Sequence, residues 1–155
     1  MAVPIFTVTD ASSATISVIS YSNVNAGAIG SPVPLLFWNN KGGSSAVPDA
    51  VQVSITTMTS NGWATGDSVA NGQEVVTDLI LEVQCTSQAA SGTIPSYVPV
   101  GGATTAPIGD GSQGVGVISG YAGGTFAYVN THINAPNGVS AGPAAFLLRL
   151  NYLYS

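Results

Sequence analysis

Two stretches decide the fold, Thr125-Phe-Ala-Tyr-Val-Asn-Thr-His-Ile133 and Ala144-Ala-Phe-Leu-Leu-Arg-Leu-Asn-Tyr-Leu-Tyr154. Both alternate side-chain type with a period of two, as expected of a β-strand whose side chains point in turn to the two faces of a sheet. Turn residues separate them, Pro136-Asn-Gly138 and Gly142-Pro143. The pattern predicts two strands joined by a long connection, most simply an antiparallel hairpin. Because the second stretch is the longest apolar run in the chain, we expect it to lie inside the fold.

The chain contains very few charged side chains. Its 155 residues include 2 Lys or Arg and 7 Asp or Glu, and charged residues make up 6% of the total, against about 25% in an ordinary globular domain. With 45% hydrophobic residues, the chain can still bury a core, and its length suits a single domain over residues 1–155. Its surface must consist mainly of Ser, Thr, Asn, Gln, Gly and backbone, which is typical of a subunit held in an assembly.

Charge and hydropathy argue against two classes of partner. The net charge is −5 and the basic residues are Lys41 and Arg149, whereas binding to nucleic acid or to an anionic membrane needs several basic side chains on one face. No stretch approaches the roughly 20 consecutive apolar residues of a membrane span. The start, Met1-Ala-Val-Pro4, lacks the basic residues of a secretion signal. We therefore expect a protein made in a cytoplasm that binds neither nucleic acid nor membrane.

Further short alternating runs are separated by turn residues. They predict strands at residues 5–9, 15–21, 33–38, 50–59 and 115–121, and an edge strand at 97–100 within a long loop over 86–114. Pro34 places the start of its strand at an edge or outside the ladder, and Val51, Val53 and Ile55 form the predicted inner side of the 50–59 strand. Roughly seven to nine short strands, with 19 Gly and 9 Pro, predict an all-β antiparallel sandwich, jelly-roll-like, with long Gly/Ser/Thr/Pro loops.

The segment Glu74–Cys85 allows two interpretations. Glu74, Asp78 and Glu82 recur at every fourth residue, which fits a helix, but a period of two divides the segment more cleanly and its β-branched residues favour a strand. On a strand the three carboxylates would share one face. Glycoside hydrolysis needs two carboxylates about 5–10 Å apart, and residues four apart on one strand are about 13 Å apart. A solvated strand face is therefore the favoured interpretation of the row.

Three other patterns suggest chemistry, and each has a simpler explanation. Some esterases carry their nucleophile in a Gly-Asp-Ser sequence, as in Gly66-Asp-Ser68, but His132 has no carboxylate near it in sequence to orient it. Asp67 and Asp110 could each contribute to a calcium site, yet a turn explains the Asp-Gly at 110 sufficiently. Cys85 is the single cysteine, so it forms no internal disulfide, and its alternation with apolar neighbours predicts a buried thiol. We expect no catalytic residue, no metal site and no cofactor.

Several residues are instead candidates for an interface. Aromatic side chains near strand ends can form a sugar-binding platform, but they are more often core lids or interface anchors. The segment Met1–Phe6 is either an extended arm that pairs with a neighbouring subunit or the beginning of this domain's own first strand. Arg149 lies on an apolar strand and should pair with an acidic residue of this subunit or a neighbour. The candidate interface residues are Ile5, Phe6, Trp38, Trp63, Tyr97, Tyr121 and Arg149.

Three stretches resemble a known class of proteins. Phe37-Trp-Asn-Asn-Lys-Gly-Gly43, Asp49-Ala-Val-Gln-Val-Ser-Ile55 and the ending Ala145-Phe-Leu-Leu-Arg-Leu-Asn-Tyr-Leu-Tyr154 resemble small bacteriophage virion proteins, in particular capsid decoration (cement) proteins and the β-domains of tail and fibre subunits. The stretches cover under a third of the chain. The resemblance implies a non-enzymatic β-sandwich, made in the host cytoplasm, that joins the capsid surface through the major capsid protein or other virion subunits, commonly as a homotrimer.

The apolar surface expected on the last strand, at Leu147 and Leu153, also favours a closed homo-oligomer. Two alternatives remain open. One is a tail or fibre domain that recognises a host surface glycan, and the other is a coat protein that assembles by itself.

Overall fold

The computed structural model describes residues 2–62, 72–88 and 95–154. Within these residues the chain forms eight strands, one short helix (α1) and a 3-10 turn at Thr86–Gln88. The regular elements are β1 (Phe6–Thr9), β2 (Val33–Asn39), β3 (Ala50–Thr59), α1 (Gln73–Thr77), β4 (Leu81–Cys85), β5 (Val98–Val100), β6 (Ala106–Pro107), β7 (Thr125–Ile133) and β8 (Phe146–Tyr154). No helix in the described ranges is long and apolar enough to cross a membrane.

The strands form two antiparallel sheets that pack face to face. One sheet has the order β1-β2-β7-β4-β5 and the other the order β6-β3-β8. Alternate side chains from the inner faces are buried because every second residue of each strand points into the gap between the sheets. The predicted all-β sandwich is therefore confirmed. Its core includes Leu35, Phe37, Val53, Ile55, Leu81, Val83, Val100, Ile118, Ala127 and Val129.

The strand order is that of a jelly roll except at β1. In an eight-stranded jelly roll built from two Greek keys, the first strand would lie beside the last. Here β1 pairs with β2 instead, from Phe6 opposite Asn39 to Thr9 opposite Leu36. Consequently β8 pairs with β3 on one side and forms the edge of its sheet within the described residues.

The predicted hairpin of β7 and β8 is wrong, although both strands exist as predicted. β7 lies in the middle of the five-stranded sheet, between β2 and β4, while β8 belongs to the other sheet. The expectation that β8 lies inside the fold is also wrong, since Leu147 and Leu153 are 48% and 56% exposed. Alternation identifies a strand, but it does not specify which neighbour that strand pairs with.

The segment at 74–85 is not one strand. Its first part forms α1, with Val75 and Val76 buried, and Leu79 then has a positive φ of 54°, which turns the chain into β4. Burying two consecutive valines is easier from a single helical turn than from a strand, which would point them to opposite faces. As a result, Glu74, Asp78 and Glu82 do not form a row on one strand.

Two other predicted strands are reduced to single bridges. In the 15–21 segment only Thr15 pairs, with Thr9, and in the 115–121 segment Ile118 pairs with Ala50. The glycines of the second segment explain part of this difference, because Gly116 has a positive φ of 76° that a regular strand does not accommodate. The edge strand predicted at 97–100 is confirmed as β5.

The inner side of β3 differs from the prediction at one end. The register of β3 against β8 shifts between Val51 and Ser54, where Gln52 has a positive φ of 52°. Such an extra residue reverses the alternation on one side of a bulge. Ala50 is therefore fully buried and Val51 is only partly so, while Val53 and Ile55 are buried as predicted.

Other local predictions are confirmed. Pro34 lies where β2 extends beyond the end of β1, so it removes no hydrogen bond from that pair. Cys85 is buried, and its Sγ lies 3.4 Å from the backbone oxygen of Gly109.

Candidate functional site

A cleft of about 1290 Å³ lies between the edge strands β1 and β8. Residues 16–26 lie along it, and Tyr21 reaches inward so that its hydroxyl is 2.7 Å from Thr131 Oγ1 and its ring stacks on Phe146 at 5.9 Å. Burial raises the pKa of Tyr21, and the hydrogen bond to Thr131 offsets part of the rise. The cleft is therefore open, mainly apolar, and built from both sheets. Its walls include Phe6, Val8, Phe37, Phe146, Leu148 and Leu150.

Two contacts join segments around this cleft. The ring of Phe6 on β1 lies 4.7 Å from the ring of Tyr152 on β8. The Glu74 carboxylate accepts hydrogen bonds from Ser140, at 2.6 Å from the hydroxyl and 2.9 Å from the amide. These two bonds lower the pKa of Glu74. They attach the connection between β7 and β8 to α1.

Two exposed apolar side chains, Val18 and Leu147, line this cleft, and six more lie close in sequence to residues that line it. We call the surface formed by residues 3–5, residues 16–30 and β8 the β1–β8 opening. Eight of the eleven large hydrophobic side chains that are exposed in the described residues belong to it. Exposed apolar residues concentrated in this way mark interaction surfaces. The eight are Val3, Ile5, Val18, Ile29, Leu147, Tyr152, Leu153 and Tyr154.

The backbone at this opening also has free hydrogen-bonding groups. In the described part of the chain, β8 makes ladder hydrogen bonds with β3 alone, so its other side is unpaired. Residues 17–24 likewise make no backbone hydrogen bond within the described ranges. A strand edge of this kind can accept a strand from another chain.

The N-terminal candidates belong to this domain's own sheet. The Ile5 amide donates to Asn39 Oδ1 at 3.1 Å, and the Asn40 amide donates to the Ile5 carbonyl at 2.8 Å. Phe6 begins β1. Of the two alternatives for residues 1–6, the structure shows the first strand for Ile5 and Phe6, with the Ile5 side chain 55% exposed.

Trp38 and Tyr97 lie on the outer face of the five-stranded sheet. The Trp38 indole donates from Nε1 to Thr9 Oγ1 at 3.0 Å, and its ring lies 4.5 Å from that of Phe126. Tyr97 stacks on His132 at 3.9 Å. Burial and the nearby negative charge of Glu82 raise the pKa of Tyr97.

His132 has an orienting carboxylate that the sequence did not reveal. Its Nε2 lies 2.7 Å from Glu82 Oε2, and Asn134 Nδ2 donates to Glu82 Oε1 at 2.7 Å. The register places Glu82 directly opposite His132 across β4 and β7. Both oxygens of the Glu82 carboxylate are hydrogen-bonded to residues of the protein. The cluster therefore has the arrangement of a structural link between the neighbouring strands β4 and β7. Ser68, the nucleophile of the esterase hypothesis, lies outside the described residues.

The Asp110 carboxylate is bound by the protein itself. One oxygen accepts from the amide and hydroxyl of Ser112, and the other from the Ser119 amide and the Thr125 hydroxyl. Burial alone would raise the pKa of Asp110, but these hydrogen bonds outweigh it and lower the pKa. The described residues contain no group of three or more side chains arranged to hold a metal ion, and Asp67 lies outside them.

The remaining candidates are not brought together. Tyr121 is 60% exposed before β7. Arg149 is exposed on β8 and donates from Nη1 to Met58 Sδ at 3.5 Å. In the described ranges no carboxylate lies within ion-pair distance of Arg149, so a carboxylate partner in a neighbouring subunit stays a prediction. Trp63 lies outside the described residues.

The chain matches no protein-family model, no curated protein and no solved structure.

Proposed function

We propose that this chain is a non-enzymatic structural subunit of a virion, a decoration protein that binds the assembled capsid and stabilises it. The observation that supports this proposal is the concentration of exposed apolar side chains at the β1–β8 opening. Covering an apolar side chain of this size contributes about 1.5–3 kcal/mol when its burial is complete. With 6% charged residues, little charge repulsion opposes association at this surface.

The choice of a virion as the assembly rests on the resemblance described above. The partners that this resemblance implies are the major capsid protein or other virion subunits. The resemblance also implies a homotrimer, and the twofold dimer inferred below is the alternative to it. A decoration protein needs a surface that stays accessible until the shell has formed, and the exposed segment around Val18 beside the apolar cleft is suited to that role.

Capsid binding can be tested with one pair of matched variants. Chain added to capsids that lack it should co-sediment with them, and Val18→Lys should weaken this binding at least about tenfold. Val18 is 80% exposed at the opening, so the lysine would be accommodated in the free chain but would be buried unpaired in the complex. Val115→Lys is the control, because Val115 is 69% exposed and lies outside the opening. Equal binding of both variants, or absence of the chain from gradient-purified virions, contradicts the proposal.

A second candidate function is glycan binding by the outer face of the five-stranded sheet. Trp38, Phe126 and Tyr128 lie on this face, and the amides of Gln84 and Asn130 are directly opposite each other beside them. Aromatic rings next to amide groups can stack on sugars and hydrogen-bond their hydroxyls.

This candidate has its own variant pair. If it is correct, the chain should bind host surface glycans in isolation, and Tyr128→Ala should lower the affinity at least about tenfold. Tyr121→Ala, at an exposed tyrosine off this sheet, should leave the affinity unchanged. If the chain binds no glycan on an array of bacterial surface glycans, this candidate function is rejected. That result does not contradict the capsid-binding proposal.

A further inference from the structure

We infer that the free edge of β8 binds β8 of a second copy of this chain, in antiparallel pairing about a twofold axis at Leu150. The inference deepens the proposed function, since it names a partner for the same opening. It rests on the chemistry of the edge, on the residues that the axis would bring together, and on the cleft beside them.

The sequence of β8 carries none of the features that normally prevent strand pairing, although Tyr21 packs on Phe146 at one end of the strand. Edge strands are usually short, or carry several charges, a proline or a bulge. β8 has nine residues with no proline, and Arg149 is its single charge. The register shift in its sheet comes from the extra residue at Gln52 in β3, so β8 itself stays regular.

The position of the axis follows from the geometry of antiparallel strands. Paired residues point to the same face of a sheet, so a twofold axis between two identical strands must pass through a residue. An axis at Arg149 would place two arginines opposite each other, which is repulsive. An axis at Asn151 would place Arg149 opposite Leu153. An axis at Leu150, the middle of β8, pairs all nine residues and avoids both mismatches.

This register is self-complementary on both faces. On the outer face, Leu147 lies opposite Leu153 of the second copy, and Arg149 opposite Asn151, whose amide oxygen can accept from the guanidinium. On the cleft face, Leu150 meets its own counterpart. The two remaining pairs are Phe146 with Tyr154 and Leu148 with Tyr152.

The pairing also covers the surfaces that the single chain leaves open. Leu147, Tyr152, Leu153 and Tyr154 are between 39% and 56% exposed in one copy, and each acquires an apolar neighbour in the pair. Tyr152 and Tyr154 of the second copy would lie beside Leu148 and Phe146, which line the cleft. Each copy would therefore close part of the other's cleft.

A charge exchange tests the register. The wild-type chain at micromolar concentration should have twice the 15.5 kDa mass of one chain in sedimentation equilibrium. Leu147→Glu alone and Leu153→Lys alone should each weaken dimerisation at least about tenfold, because each places a charge against leucine. The double variant Leu147→Glu/Leu153→Lys should restore the dimer, since the new carboxylate and ammonium groups would face each other twice across the axis. Both positions are exposed, so each variant should fold, which a far-UV circular dichroism spectrum like that of the wild type would show.

A cysteine at the axis provides a second measurement. In a Cys85→Ala background, Leu150→Cys should form a disulfide-linked dimer on mild oxidation, because the position faces itself. Val115→Cys, exposed and far from β8 in sequence, is the control and should remain unlinked. A wild-type mass of one or three chains, or a folded Leu150→Cys variant that does not crosslink, overturns the inference. If that chain still binds capsids, the proposed function stands and only the twofold contact is rejected.

Discussion

Replacing Asn39 with alanine should lower the free energy of unfolding by about 3 kcal/mol. The Asn39 side chain is fully buried, and its Nδ2 donates to the carbonyls of Pro48 and Ile118, each at 3.1 Å. Its Oδ1 accepts from the Ile5 amide at 3.1 Å. One side chain thus joins the N-terminal segment, β2 and two loops. Removing it leaves three backbone groups without that partner, and leaving a buried polar group unsatisfied costs about 1–3 kcal/mol.

Chemical denaturation of Asn39→Ala and of Asn23→Ala measures this effect. Asn23 is exposed, so its replacement should change stability by less than about 0.5 kcal/mol. Asn39→Asp keeps the acceptor for the Ile5 amide but turns an oxygen toward two carbonyls. It should therefore be more destabilising at pH 7 than at pH 5, because burial raises the pKa of a carboxyl group and the neutral form can still donate one hydrogen bond. An Asn39→Ala variant within 0.5 kcal/mol of wild type would show that the side chain is not a structural link.

Ile55→Ala should destabilise the protein by a similar amount, about 2–5 kcal/mol. Ile55 lies in the middle of β3 opposite Leu150 and Ala106 and is fully buried. Deleting three carbons from this position removes buried apolar area and leaves a cavity that the two sheets cannot fill without moving. Thermal unfolding should show a fall in Tm of roughly 4–20 °C.

Val115→Ala is the matched control for Ile55→Ala. It also shortens a β-branched side chain, but at a residue that is 69% exposed, so its Tm should stay within about 2 °C of wild type. Equal effects of the two substitutions would mean that the sandwich does not have the core described here.

Capsid binding and pairing of two copies use different parts of the β1–β8 opening. Capsid binding requires the segment around Val18, whereas pairing of two copies requires the edge of β8. Both surfaces lie beside the cleft because β1 pairs with β2, so that within the described residues no strand pairs with β8 on that side. A single departure from jelly-roll order therefore accounts for the cleft, for the unpaired edge and for the exposed leucines of β8.

The sequence alone determined the class of fold and most of its strands. The alternation in β2, β3, β7 and β8 is strong enough to identify each strand, and the many short strands with their Gly and Pro residues indicate an all-β domain with long loops. The side-chain pattern was not sufficient at 74–85, where the carboxylates and valines fit both a helical period and a period of two. Burial of Val75 and Val76 together favoured a helical turn there.

Only the tertiary structure decided which strands are neighbours, and so where a functional surface lies. Period-two alternation is a local property, whereas pairing depends on contacts between distant segments. For this reason the sequence could not place β7 and β8 in different sheets, bring Glu82 to His132, or show that β8 lies at a sheet edge. The sequence supplied an apolar strand with one charge, and its position at a sheet edge left Leu147 and Leu153 of that strand exposed.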